Sequence, residues 1–160
     1  MTQALNILFS LGASRWFILS KLQHFQWLAY QRTQFQWHEP PLDRRNFVIL
    51  TAHNPKGLRQ SDLANALAHS TLIRQMRVRR WPYSLISGMS PDASHSELSL
   101  ALACSLSRGM RIAQHFKQHA IYWVKQDKLY LVAVLGGKPK VLMGSFSARC
   151  HSYLPNIEKT

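Results

Sequence analysis

The chain has 160 residues, 46% of them apolar, which is enough for one hydrophobic core and too few for two, so a single globular domain is expected. Its charge is one-sided: 20 Lys and Arg stand against 7 Asp and Glu, a formal +13, which points toward a polyanionic partner, nucleic acid or a phosphate-bearing ligand, although a basic surface can also serve solubility alone. Two cysteines, Cys104 and Cys150, with no CxxC pair and no Cys/His group at ligand spacing, argue against a zinc site and a disulfide framework.

Residues 3 to 28 place Leu5, Leu8, Leu11, Phe17, Ile18, Leu22, Phe25 and Leu28 at loosely helical spacing, with Gly12 as a weak point. This predicts an N-terminal helical extension over 1–28, packed on the domain or offered to a protein partner. It is not expected to act as a signal sequence, since it lacks a basic leading region, Arg15 interrupts it, and no small-residue cleavage pattern follows. No run reaches the roughly 18 apolar residues that a membrane span needs. A cytoplasmic protein is expected.

The stretch YQRTQFQWH, residues 30–38, alternates and predicts a half-buried strand, which the prolines of EPPLDRR end. NFVILTAH, 46–53, is apolar and rich in β-branched residues, as in a strand covered on both faces. After the break His53-Asn54-Pro55-Lys56-Gly57, Ser61-Asp62 caps a helix that runs to residue 78, with Leu63, Ala66, Leu67, Leu72, Ile73 and Met76 as its apolar stripe. PYSLISGM and ELSLALAC predict two strands joined by the turn Ser90–Ser94, and a second helix follows over 105–118, burying Leu106, Met110, Ile112, Ala113 and Phe116. AIYWVK and KLYLVAV meet at Gln126-Asp127, and VLMGSF adds a further strand. The expected layout is a helical extension over 1–28, one α+β domain over 29–147 and a tail over 148–160.

From residue 46 onward the order is strand, helix, strand, strand, helix, strand, with one or two strands added. That order predicts an α+β, ferredoxin-like split βαβ sandwich, with a mostly antiparallel sheet and helices on one face. In this topology the loop after the first strand and the hairpin between the second and third meet at one end of the sheet. His53, Asn54, Lys56, Asp92, His95 and Glu97 should then be neighbours.

The pieces LTAHNPKG, HSELSLAL and RIAQHFKQHAIYWV resemble the uncharacterised bacterial domain-of-unknown-function family 3293, over about residues 26–134. Asn54-Pro55 with Gln118 and Ala120 carry the resemblance most strongly. The departure is His53, where the family more often shows an aromatic residue. The resemblance implies a small bacterial domain and brings no activity with it.

Two candidate sites follow. His53, Asn54, Lys56 and Glu97 form a hypothetical ligand site: an amide, an imidazole and a cation gather at a strand end before a helix N-terminus, which suits phosphate or carboxylate. The bland alternative is a loop whose Asn side chain holds its own backbone. Glu97 with His53 or His95 could also serve as an acid–base pair, yet no nucleophile elbow, triad order or metal-ligand spacing accompanies them, so no catalytic residue, metal or cofactor is assigned. The second site is the run Arg74, Arg77, Arg79, Arg80 and Trp81, where guanidinium groups suit phosphates and an aromatic suits a base. Cations at a helix end also complement its dipole. RNA recognition by a sheet face is not expected, since FVILTAH and ELSLALAC hold one aromatic between them. The leading expectation is a non-catalytic binder of nucleic acid, ahead of a nucleotide. The alternatives are an acid–base enzyme at the strand end, or an interaction module of a defence or mobile-element system.

Overall fold

The computed structural model describes residues 15–135 and 140–151, with side chains from residue 23 onward; the tail after His151 lies outside the described residues. The chain divides into two compact units, Met1–Arg32 and Thr33–Thr160. In the first, helix α1 covers Arg15–Tyr30 and takes in Tyr30, which alternation had placed in a strand.

The second unit is α+β. Its elements are β1 (Gln34–Trp37), β2 (Asn46–Thr51), α2 (Asp62–Val78), β3 (Tyr83–Met89), β4 (Ser96–Leu102), α3 (Leu106–His115), β5 (Ala120–Lys125), β6 (Lys128–Ala133), β7 (Val141–Ser145) and β8 (Cys150–His151), with 3-10 turns at Pro55–Gly57 and Ser147–Arg149. The strands form one sheet in the order β7-β6-β5-β2-β4-β3-β1-β8, antiparallel throughout except for the pair β1 and β8. Strand β2 is flanked by β4 and β5, which accounts for its unbroken apolar run.

The pleat of β2 sorts the core into two. Val48 and Leu50 join Leu72 and Met76 of α2, Ala113 of α3, and Leu100, Leu102 and Ile121 on the helix-bearing face. Phe47 and Ile49 point the other way, toward Phe35, Trp37, Ile86, Val124, Leu129 and Phe146. Burying each such side chain contributes about 1.5–3 kcal/mol. Helix α3 lies close on the sheet because a Cβ on Gly109 would stand 2.8 Å from a methyl of Val48.

Neither α2 nor α3 packs on the second face; within this unit the sheet covers it by curling. Eight strands laid flat would set β7 and β8 seven spacings apart, roughly 33 Å. Only Phe146–Arg149 join them, and so few residues reach at most about 18 Å. The two sheet edges must therefore approach, and the Arg149 guanidinium ties them, donating to the Met143 carbonyl at 3.1 Å and to the Thr33 carbonyl at 3.3 Å.

Helix α2 departs from the predicted stripe. Leu63 and Leu67 are 71% and 61% exposed, and Ala66 is exposed as well. The inward face runs through Asn65, His69, Leu72 and Met76, at steps of four, three and four residues. The first two positions are polar because they meet the loop after β2 rather than the sheet. Both helices begin on a serine cap, Ser61 accepting from the Ala64 amide and Ser105 from the Arg108 amide. Both also end alike. Arg80 (φ 53) and Lys117 (φ 55) take the left-handed position that usually goes to glycine, and the next amides, of Trp81 and Gln118, reach back to the carbonyls of Met76 and Ala113.

Candidate functional site

The loop after β2 turns on Asn54. Its backbone is left-handed (φ 48, ψ 56), a conformation that Asn tolerates better than most side chains. Thr51 fixes the approach: its hydroxyl donates to the Leu98 carbonyl at 2.8 Å and accepts the His53 amide at 3.0 Å. Gln118 holds the far side, its side-chain amide donating to the His53 carbonyl at 2.9 Å.

Four side-chain contacts meet at Asn54. Its amide nitrogen donates to Glu97 Oε1 at 2.6 Å. Its carbonyl oxygen accepts from the Gln60 amide at 2.9 Å and from Asn65 Nδ2 at 3.1 Å, while its own backbone amide donates to Asn65 Oδ1 at 2.9 Å. The Asn54 side chain thus joins the β2 loop, the β3–β4 hairpin and α2.

Glu97 also faces His95, whose Nε2 lies 3.3 Å from the same carboxylate oxygen. His53 and His69 meet edge to face with ring centres 5.8 Å apart. Both nitrogens of His69 are buried with no partner among the described residues, although the residue is only 6% exposed. Burial lowers the His53 pKa below the ordinary histidine value; Glu97 pulls it back up and His95 pushes it further down. Burial lowers that of His69 too, and His53 adds to the effect. Both shifts favour the neutral form of the rings.

The hairpin thus joins the strand end as the topology implied, bringing together His53, Asn54, His95 and Glu97. Lys56 is exposed, its backbone amide donating to the Lys117 carbonyl at 2.7 Å, so it meets the second helix end rather than Glu97. Asp92 stays in its own turn, its carboxyl held down to about 2 by the hydroxyls of Ser90 and Ser94. Asn65 and His69 were missed. Their signal was positional, a polar pair continuing the Leu72 and Met76 stripe backward by one helical step. Among the described residues no group of three or more His, Cys, Asp or Glu could hold a metal ion. Burial pushes the Cys104 thiol up to about 11 and that of Cys150, with Asp127 nearby, up to about 12. Neither is a nucleophile at neutral pH.

The arginine run sits at the other end of α2. Arg79 caps the helix and Arg80 leaves it, while Arg74 and Arg77 share an exposed face. Two guanidinium groups lie over the Trp81 ring, that of Arg108 of α3 at 4.6 Å and that of Arg79 at 5.7 Å from its centre. Arg77 donates to the Tyr83 hydroxyl at 3.0 Å.

Few acids are free to neutralise this surface. Of the 7 in the chain, four hold loops: Glu39 accepts the Leu85 amide, Asp92 and Asp127 bind serine hydroxyls, and Glu97 binds Asn54. An open cleft of about 420 Å3 lies on the face opposite α2 and α3, lined by Trp37, Leu42, Arg44, Arg45, Phe47 and Phe146 among others. It holds none of the predicted site residues.

Residues 50–121 match the family model described as a protein of unknown function, DUF3293. The chain resembles that family. The DUF3293 match takes in the end of β2, all of α2, β3, β4 and α3, and the start of β5, and with them every residue of both predicted sites. No curated protein and no solved structure matches the chain. No described helix is long and apolar enough to cross a membrane.

Proposed function

We propose that the chain binds a polyanion, nucleic acid ahead of a nucleotide, through Arg74, Arg77, Arg79, Arg80 and Trp81, with Arg108 and Arg111 of α3 extending the surface. The observation that carries this reading is the Arg79–Trp81–Arg108 cluster, set among exposed arginines that have no carboxylate partner in an ion pair among the described residues. Guanidinium groups take phosphate oxygens in pairs, and a base can stack on an indole or a guanidinium plane. The central strand order β5-β2-β4-β3, with α2 and α3 as crossovers, supports a ferredoxin-like split βαβ block as the scaffold.

A second reading is favoured by the unpartnered imidazole of His69. His53, Asn54, Lys56 and Glu97 would then take a small phosphate- or carboxylate-bearing ligand, with neutral His53 as base and Glu97 steadying a protonated histidine.

One experiment separates the two. Labelled single- and double-stranded DNA and RNA are titrated at two salt concentrations after bound nucleic acid has been stripped. Arg77→Glu/Arg80→Glu should weaken binding at least tenfold and flatten the salt dependence by about one and a half log units per log unit of salt. Asn54→Ala/Glu97→Ala should leave it unchanged. If the arginine variant binds like the parent, the polyanion reading fails. A nucleotide that raises the melting temperature of the parent but not of the Asn54/Glu97 variant would establish the second reading in its place.

A further inference from the structure

The hairpin of β5 and β6 carries a feature that neither site uses. Trp123 pairs with Tyr130 across the strands, and Tyr130 pairs with Leu142 of β7, so the three side chains form one row on the helix-bearing face. The two rings lie 5.3 Å apart and 36° from parallel, both partly exposed, and Leu142 is 56% exposed.

Lysines surround the row. Lys125 and Lys140 place their ammonium groups 5.7 Å and 5.0 Å from the Trp123 ring centre. Lys128 stands directly opposite Lys125 and projects to the same side. Like charges directly opposite across two strands are unfavourable. The tight turn needs no such pair, since Gln126 (φ 49) and Asp127 (φ 68) supply its left-handed geometry and the Asp127 carboxylate is bonded by Ser145 and Ser147. Among the described residues no carboxylate forms an ion pair with these lysines. Two partly exposed aromatic rings bordered by lysines suit a chain in which stacking bases alternate with phosphates.

We infer that the β5–β6–β7 corner, with Trp123 and Tyr130 as the stacking platform and Lys125, Lys128 and Lys140 as phosphate contacts, is a binding surface for single-stranded nucleic acid. It shares the nucleic-acid class of the arginine-face reading but not its residues, so the two can fail separately.

The test is affinity for a labelled pyrimidine oligonucleotide of about ten nucleotides, for a duplex, and for inorganic polyphosphate of matched charge. The parent is compared with Lys125→Glu/Lys140→Glu and Arg77→Glu/Arg80→Glu. All four positions are exposed, so the substitutions leave the core intact. The parent should bind the single strand at least tenfold more tightly than polyphosphate. The lysine variant should lose at least tenfold in single-strand affinity and stay within twofold on duplex. Ultraviolet crosslinking of a bromouridine-substituted strand to the parent should label the peptide holding Trp123 or Tyr130. Unchanged single-strand affinity in the lysine variant, crosslinks confined to Trp81, or equal affinity for polyphosphate would each overturn the platform. The arginine-face reading would survive those results and would fall only if Arg77→Glu/Arg80→Glu also binds as the parent does.

Discussion

Both ring nitrogens of His69 are buried beside His53 without a hydrogen-bond partner among the described residues. Each buried polar group left in that state costs about 1–3 kcal/mol. The pKa values of His69 and His53 lie below the unfolded value of 6.5, so the unfolded chain binds more protons. Stability is then full above that value and declines as pH falls below it, until the folded rings also protonate. Replacing His69 with leucine should raise stability by about 1 kcal/mol at pH 7, and should make the decline between pH 7 and 5 shallower, as urea denaturation at three pH values would record. A loss of stability would mean that the imidazole has a partner. At this scale the sequence showed half of the site. Asn54 and Glu97 stood out because an amide in a turn and a scarce carboxylate on an apolar strand call for partners. Asn65 and His69 did not, because a polar residue on a helix is unremarkable until its inward direction is known.

Secondary structure was the most legible level, since period-two and period-3.6 patterns are local. The strands from β2 to β7 and both helices of the second unit fall close to where alternation, capping serines and turn residues put them. The face of α2 did not follow. Leucines at 63, 67 and 72 span more than one face, and propensity cannot tell which of them meets the sheet; tertiary packing selects Leu72 and Met76 and leaves Leu63 and Leu67 in solvent. The close fit of α3 on β2 was also hidden, because a mid-helix glycine by itself signals only weakness. Gly109→Ala tests it. On propensity alone alanine should stabilise the helix by about 1 kcal/mol, but its methyl would overlap Val48. The strain of overpacking, about 1–3 kcal/mol, should prevail and lower the melting temperature. Pairing the change with Val48→Ala should recover part of the loss by making room.

At the scale of the whole molecule, the sheet is longer than the sequence indicated, because a two-residue strand leaves no periodic trace. Cys150 and His151 follow Ser147, where pattern ends, yet they pair with β1 and bring the two sheet edges together. Arg149 secures that closure through two carbonyls, and Arg149→Ala should cost about 2 kcal/mol; denaturant unfolding would measure it, and a change under 0.5 kcal/mol would show that the backbone link alone suffices. The same closure bears on synthesis. Thr33, at the start of the second unit, waits for Arg149, 116 residues later in the chain. At ribosomal rates that interval is about ten seconds. Until then the outer edge of β1 has no strand beside it, and an unpaired edge can pair with another chain. The segment that covers this edge is thus made more than a hundred residues after the edge itself, and its docking is what removes the edge from reach of another chain.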